Sequence, residues 1–123
     1  MKRFAFLCLA VVLCVPEFAH AQRLFAMKAG KFAQICASHS GRGVCEAYLD
    51  GIADGESLSY LAAHNNGDKS AFEGFCIPTT EKTAQMRDKV LTWLNNHKES
   101  LEKPVGESVF TALHNAYPCG QGK

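Results

Sequence analysis

Phe75-Cys76-Ile77-Pro78 and Ala116-Tyr117-Pro118-Cys119 each set a cysteine beside an aromatic residue and a proline. The first lies just before a segment with helical spacing, the second just after another. How these two cysteines are used decides the fold. A reactive thiol, a metal centre and a covalent staple each demand different surroundings, and the compartment of the chain narrows the choice.

Residues 1–21 read MKRFAFLCLAVVLCVPEFAHA. Lys2 and Arg3 form a positive start, Phe4 to Val15 an apolar run, and Ala19-His20-Ala21 a small-x-small cleavage signature, the pattern of a secretory signal peptide. The apolar run is well short of the roughly 20 residues a spanning helix needs. The reading is therefore cleavage before Gln22, export to the bacterial periplasm, and no membrane anchor in the mature chain. Removing this segment takes away Lys2, Arg3 and Glu17, so Lys+Arg falls from 13 to 11 and Asp+Glu from 12 to 11. The mature charge is zero with histidines neutral, which favours neither nucleic acid nor an anionic membrane surface as partner.

Residues 22–123 make one domain with a modest core, for which cross-links matter. The apolar residues step by three and four. Val44, Tyr48, Ile52 and Gly55 form one stripe, continued by Leu58, Leu61 and Ala62. Met86, Val90, Trp93, Leu94 and His97 form a second, and Val105, Val109, Ala112, Leu113, Ala116 and Tyr117 a third. Each predicts a helix with one apolar face. A shorter helix is predicted over residues 28–38, presenting Phe32, Ile35 and Cys36. Pro78 with Thr79-Thr80-Glu81 supplies a stop and a capping start for the third helix. Pro104 suits the first position of the last helix, and Pro118 ends it. The predicted fold is all-α, a disulfide-stapled bundle of about four helices, with loops near 39–43, 64–79 and 98–103.

Cleavage also removes Cys8 and Cys14, leaving Cys36, Cys45, Cys76 and Cys119. Their gaps of 9, 31 and 43 positions lack the close pairs of a structural zinc site, and no metal is expected. His39, His64, His97 and His114 offer bases for a thiolate, but no thiol-enzyme signature surrounds any cysteine. An even number in an exported chain points to disulfides. Cys36 and Cys45 flank the first turn, while Cys76 and Cys119 stand at the start of helix three and the end of helix four. Joining them in those pairs suits antiparallel helices, although four cysteines allow three pairings. Phe75 and Tyr117 then pack over the second bond.

No catalytic constellation or cofactor motif is present, and no enzyme activity is expected. Asp50-Gly51-Ile52-Ala53-Asp54-Gly55-Glu56 resembles part of a calcium loop but lacks its alternating ligands and late glutamate. It reads instead as an acidic helix face whose glycines allow close helix approach.

Four motifs occur in order: a cysteine closing helix one, then Cys45-Glu46-Ala47-Tyr48-Leu49-Asp50-Gly51-Ile52-Ala53-Asp54, then Phe75-Cys76-Ile77-Pro78, then Ala112-Leu113-His114-Asn115-Ala116-Tyr117-Pro118-Cys119. In this order they resemble the Tai/Rap-type immunity family, small periplasmic proteins that protect bacteria from peptidoglycan amidases delivered by type VI secretion. The likeness runs from about Met27 to Cys119; the first helix departs in lacking a leucine-rich pattern. It implies an all-helical, often dimeric inhibitor that plugs the active-site cleft of a cognate amidase and performs no catalysis itself.

A plug needs a rigid protrusion with groups that enter a cleft. The segment 64–74, anchored by Cys76, is the candidate, with His64, Asn65, Asn66, Asp68 and Lys69 offering hydrogen bonds and Phe72 an apolar anchor. The bland reading of the same segment is a solvated connection whose Phe72 turns into the core. An alternative function is a small helical envelope-stress or chaperone-like protein, in which Glu46, Asp50, Asp54 and Glu56, crowded on one helix, loosen the packing when protonated. A cysteine-dependent enzyme is a third reading, and it requires a free thiol.

Overall fold

The helical spacing resolves into four α-helices in the computed structural model, which describes residues 25–120. Helix α1 spans Ala29–Ala37, α2 Arg42–Asn65, α3 Thr83–Asn96 and α4 Val105–Ala116, with a 3₁₀ segment at Lys98–Glu102 between the last two. The only β-pairing among the described residues is an isolated antiparallel bridge between Lys28 and Pro104. No helix among them is long and apolar enough to cross a membrane. The export segment read at residues 1–21 lies outside the described residues.

The bridge sets the frame. Val105 N–H donates to the Met27 carbonyl (2.8 Å) and Ala29 N–H to the Lys103 carbonyl (3.0 Å), so α1 and α4 start side by side. From there Phe32 and Cys36 of α1 meet Cys45 and Leu49 of α2, Met86, Val90 and Leu94 of α3, and Val109, Ala112 and Leu113 of α4, all buried. The stripes expected on α3 and α4 are the faces that pack. Ser100 and Ser108 are the buried polar residues among those described, and the Ser108 hydroxyl donates to the Ser100 carbonyl at 2.8 Å, which offsets the cost of burying it.

Both disulfides form as paired above, Cys36–Cys45 and Cys76–Cys119, with Cα–Cα distances of 5.1 and 4.9 Å. Phe75 and Tyr117 are buried beside the second, and Cys76 N–H donates to the Tyr117 carbonyl at 2.8 Å.

Several boundaries differ from expectation. Helix α3 starts at Thr83 rather than beside Thr79-Thr80-Glu81, because Gln85 closes its first turn. The Gln85 side chain accepts from Lys82 N–H, and Gln85 N–H donates to the Lys82 carbonyl. Pro104 is the residue before α4, with ψ 138°, not its first turn. Residues 98–102, expected as loop, wind into the 3₁₀ segment. Helix α2 runs through Asn65, so His64 and Asn65 belong to its last turn.

The largest correction concerns the apolar face of α2. Val44, Leu58 and Leu61 of the expected stripe are 66 %, 64 % and 49 % exposed. Tyr48 and Ile52 of that stripe do pack against the core, and they share the packed side with Cys45, Leu49 and Ala53. Helix α2 has 24 residues and α4 has 12, so α2 is about 18 Å longer at 1.5 Å per residue. The fully buried residues of α2, Cys45 and Leu49, both lie in its first third. Glu46, Asp50 and Asp54, four apart, share one side of α2, and three of the four acidic residues have partners. Glu46 pairs with Arg87 at 2.5 Å, Asp50 accepts from the Thr83 hydroxyl at 2.9 Å, and Glu56 turns to the loop that follows α2.

Candidate partner-binding site

The distal end of α2 and residues 66–74 form an apex whose root is fixed and whose tip is open. Gly67, at φ +83°, takes the left-handed conformation that turns the chain out of the helix. Gly67 N–H and Asp68 N–H donate back to the His64 and Ala63 carbonyls, closing the helix end. Asp68 then organises the next turn. Its carboxylate accepts from the Ser70 hydroxyl (2.6 Å) and from Ser70 N–H (2.9 Å). These two bonds hold the Asp68 carboxyl below the usual carboxylate range.

Gly74 is the root. Its N–H donates to Glu56 of α2 and its carbonyl accepts from His114 Nδ1 of α4, each at 2.5 Å, which puts the imidazole proton on Nδ1. A Cβ at this position would land on the tip of the Phe110 ring, so any side chain there has to displace that ring. Phe110 in turn meets Phe75 edge-on, with ring centroids 5.5 Å apart. Two residues further along, the Cys76–Cys119 bond ties the chain to the end of α4.

The residues singled out from sequence all lie on this apex, although not all on the loop. His64, Asn65, Asn66, Asp68 and Lys69 are exposed, and the His64 ring stacks near Tyr60 at 5.9 Å. Phe72 is 82 % exposed. The reading in which it turns into the core is overturned; the aromatic of this segment that is buried is Phe75, 4 % exposed.

Sequence reasoning missed the groove beneath the tip. Helix α2 forms one wall with Gly51, Ile52, Gly55, Glu56, Ser59, Tyr60 and Ala63. Helix α4 forms the other with Gly106, Glu107, Phe110 and Thr111, and the loop closes one end with Asp68 and Phe72. It encloses about 890 Å³. The signal available beforehand was Phe110, an aromatic outside the core stripe of its helix. The clamp residues Glu56, Gly74 and His114 were missed as a unit because they lie 18 and 40 positions apart.

The glycines of α2 also read differently in three dimensions. A Cβ built at Gly51 or Gly55 meets no atom within 4 Å, so neither marks a close helix approach within this molecule.

Sulfur chemistry is constrained by the same geometry. Glu73 lies 3.1 Å from the Cys76 sulfur, but Cys76 and Cys119 are bonded to each other. All four cysteines among the described residues are paired, and a disulfide sulfur is neither thiolate nucleophile nor thiolate ligand.

No curated protein matches the chain, and no solved structure does. A family model described as Rap1a immunity proteins matches residues 28–119, from the bridge that opens the fold to the last cysteine of its second staple. The chain belongs to the Rap1a immunity protein family.

Proposed function

We propose that the mature protein is an exported inhibitor that binds a peptidoglycan amidase toxin and blocks its active-site cleft with the apex of α2 and residues 66–74. Family membership implies an immunity role exerted by binding a cognate toxin. The amidase target follows from the resemblance of the four ordered motifs. Export through residues 1–21 puts inhibitor and cell-wall enzyme in the same periplasmic space, and type VI delivery is the route by which the toxin arrives there.

The observation that carries this reading is Phe72, an aromatic ring 82 % exposed on a segment held at its root by Glu56, His114 and a disulfide. A large apolar group held out in water has an unfavourable hydration free energy in the isolated protein. A fixed root reduces the ordering entropy lost on binding, so such a group serves a docking surface well. Around it Asn65, Asn66, Asp68 and Lys69 supply donors and acceptors for polar groups in a cleft.

The test is capture of periplasmic or effector amidases on the oxidised protein, followed by a peptidoglycan-cleavage assay. Near-stoichiometric inhibition of a captured amidase is expected. Full amidase activity in the presence of saturating protein rejects this function. Sedimentation of the same sample measures whether the inhibitor acts as the homodimer that the resemblance implies.

A further inference from the structure

We infer that the groove between α2 and α4 is a seat for a helix of the partner protein, one with an apolar face and basic flanking residues. That the partner is a toxin rests on the immunity reading above; the chemistry of the groove does not.

Three features of the groove converge on this occupant. Its surface is apolar where it is open: Phe110 is 41 % exposed on the α4 wall, and Phe72 stands at the loop end. Its charges have one sign. The lining holds the carboxylates of Glu56, Asp68 and Glu107 and no basic residue. Lys103 pairs with Glu107 from outside at 2.8 Å, and two negative charges remain when it is counted. A groove of that pattern attracts lysine or arginine at the edges of an apolar segment and repels glutamate there.

The third feature is the pair Gly51 and Gly55. Both sit inside α2, where glycine is the poorest helix former after proline. Neither has positive φ, and a Cβ on either meets nothing within 4 Å. The fold therefore gains nothing from them. Spaced four apart and followed by Ser59 after four more, they leave one groove wall flat along the helix axis. A flat wall lets the backbone of a second helix approach closely, and side chains there would hold it away.

The test uses the oxidised full chain and a fluorescein-labelled helical 14-residue peptide with a leucine/alanine face and lysine flanks. Its twin carries glutamate for every lysine. The lysine peptide is expected to bind at least tenfold more tightly than the twin, with affinity falling as salt rises. Gly51→Ala combined with Gly55→Leu is expected to weaken it at least tenfold while the melting temperature stays level or rises. Glu107→Lys, an exposed change, is expected to abolish the preference between the twins. Equal binding of the twins, binding of neither, or full binding by the glycine double variant would overturn the proposal. So would sedimentation showing a wild-type dimer that the double variant dissolves, because the groove would then belong to a second copy. A captured amidase inhibited equally by wild type and double variant removes the groove and leaves the immunity function standing. Peptide results as expected with no amidase captured remove the immunity function and leave the groove.

Discussion

The Phe110 ring occupies the space that a side chain at residue 74 would need, so Gly74 and Phe110 are a matched pair across the loop–α4 contact. The match keeps the Gly74 peptide within reach of Glu56 on one side and His114 on the other. Gly74→Ala is expected to push Phe110 away and to lower stability by about 1–3 kcal/mol, the usual cost of overpacking. In urea denaturation, Phe110→Ala in the same chain should recover part of that loss, giving a coupling energy well above the additive case. Strict additivity of the two changes would show that the ring and the glycine are not in register.

Phe72 offers the opposite case. At 82 % exposure its side chain contributes little to the core. Phe72→Ser is expected to leave the unfolding midpoint unchanged while weakening binding to a captured toxin at least tenfold, about 1.4 kcal/mol. A variant that binds as tightly as wild type would remove Phe72 from the docking surface.

The two disulfides close loops of different length, with separations of 9 and 43 residues. In the chain-entropy model they restrict the unfolded chain by about 2.5 and about 4 kcal/mol respectively. Replacing Cys76 and Cys119 by serine should therefore cost more stability than replacing Cys36 and Cys45. The first pair should also raise hydrogen exchange across residues 66–76, because that bond anchors the loop.

Tyr117 links stability to alkaline pH. Its burial, and its O–H donated to Glu81 at 2.8 Å, raise the phenol well above its ordinary value of 10.0. A raised folded pKa means that the stabilisation is complete below about pH 10 and is lost as pH rises beyond it. Glu81 works in the other direction. Bonds from Lys89 and Tyr117 lower its pKa from the ordinary 4.5, so its contribution is present above that pH and is lost as pH falls toward the folded value. Tyr117→Phe should flatten the alkaline limb of a stability–pH curve, with Tyr48, raised by burial alone, remaining as background. An unchanged alkaline limb would mean that the Tyr117 phenol is not raised in the folded protein.

The helices themselves were legible from local patterning. On α3 and α4 every third or fourth residue is apolar, and Met86, Val90 and Leu94 or Val109, Ala112 and Leu113 have no other way to leave water than on one helical face. On α2 the same reasoning was right for Tyr48 and Ile52, which pack on the core, and wrong for the rest of the stripe's large residues. Val44, Leu58 and Leu61 have the spacing of a core stripe and stand in solvent, because spacing says which residues share a side and not whether another element covers it. The candidate site divided in the same way. Asn65, Asn66, Asp68 and Phe72 were visible as a polar break containing an aromatic, whereas Glu56 and His114 looked like ordinary helix-surface residues until the fold brought both to Gly74.

Local patterning fixed four helices and their order, and it favoured one cysteine pairing of the three possible without deciding it. All of these follow from contacts between residues close along the chain or from the ends of adjacent helices. Tertiary structure alone decided which side of α2 is inside, that Phe72 faces water, and that two unneeded glycines border an acidic, apolar groove. Those properties depend on which elements pack against which, and no local spacing encodes that.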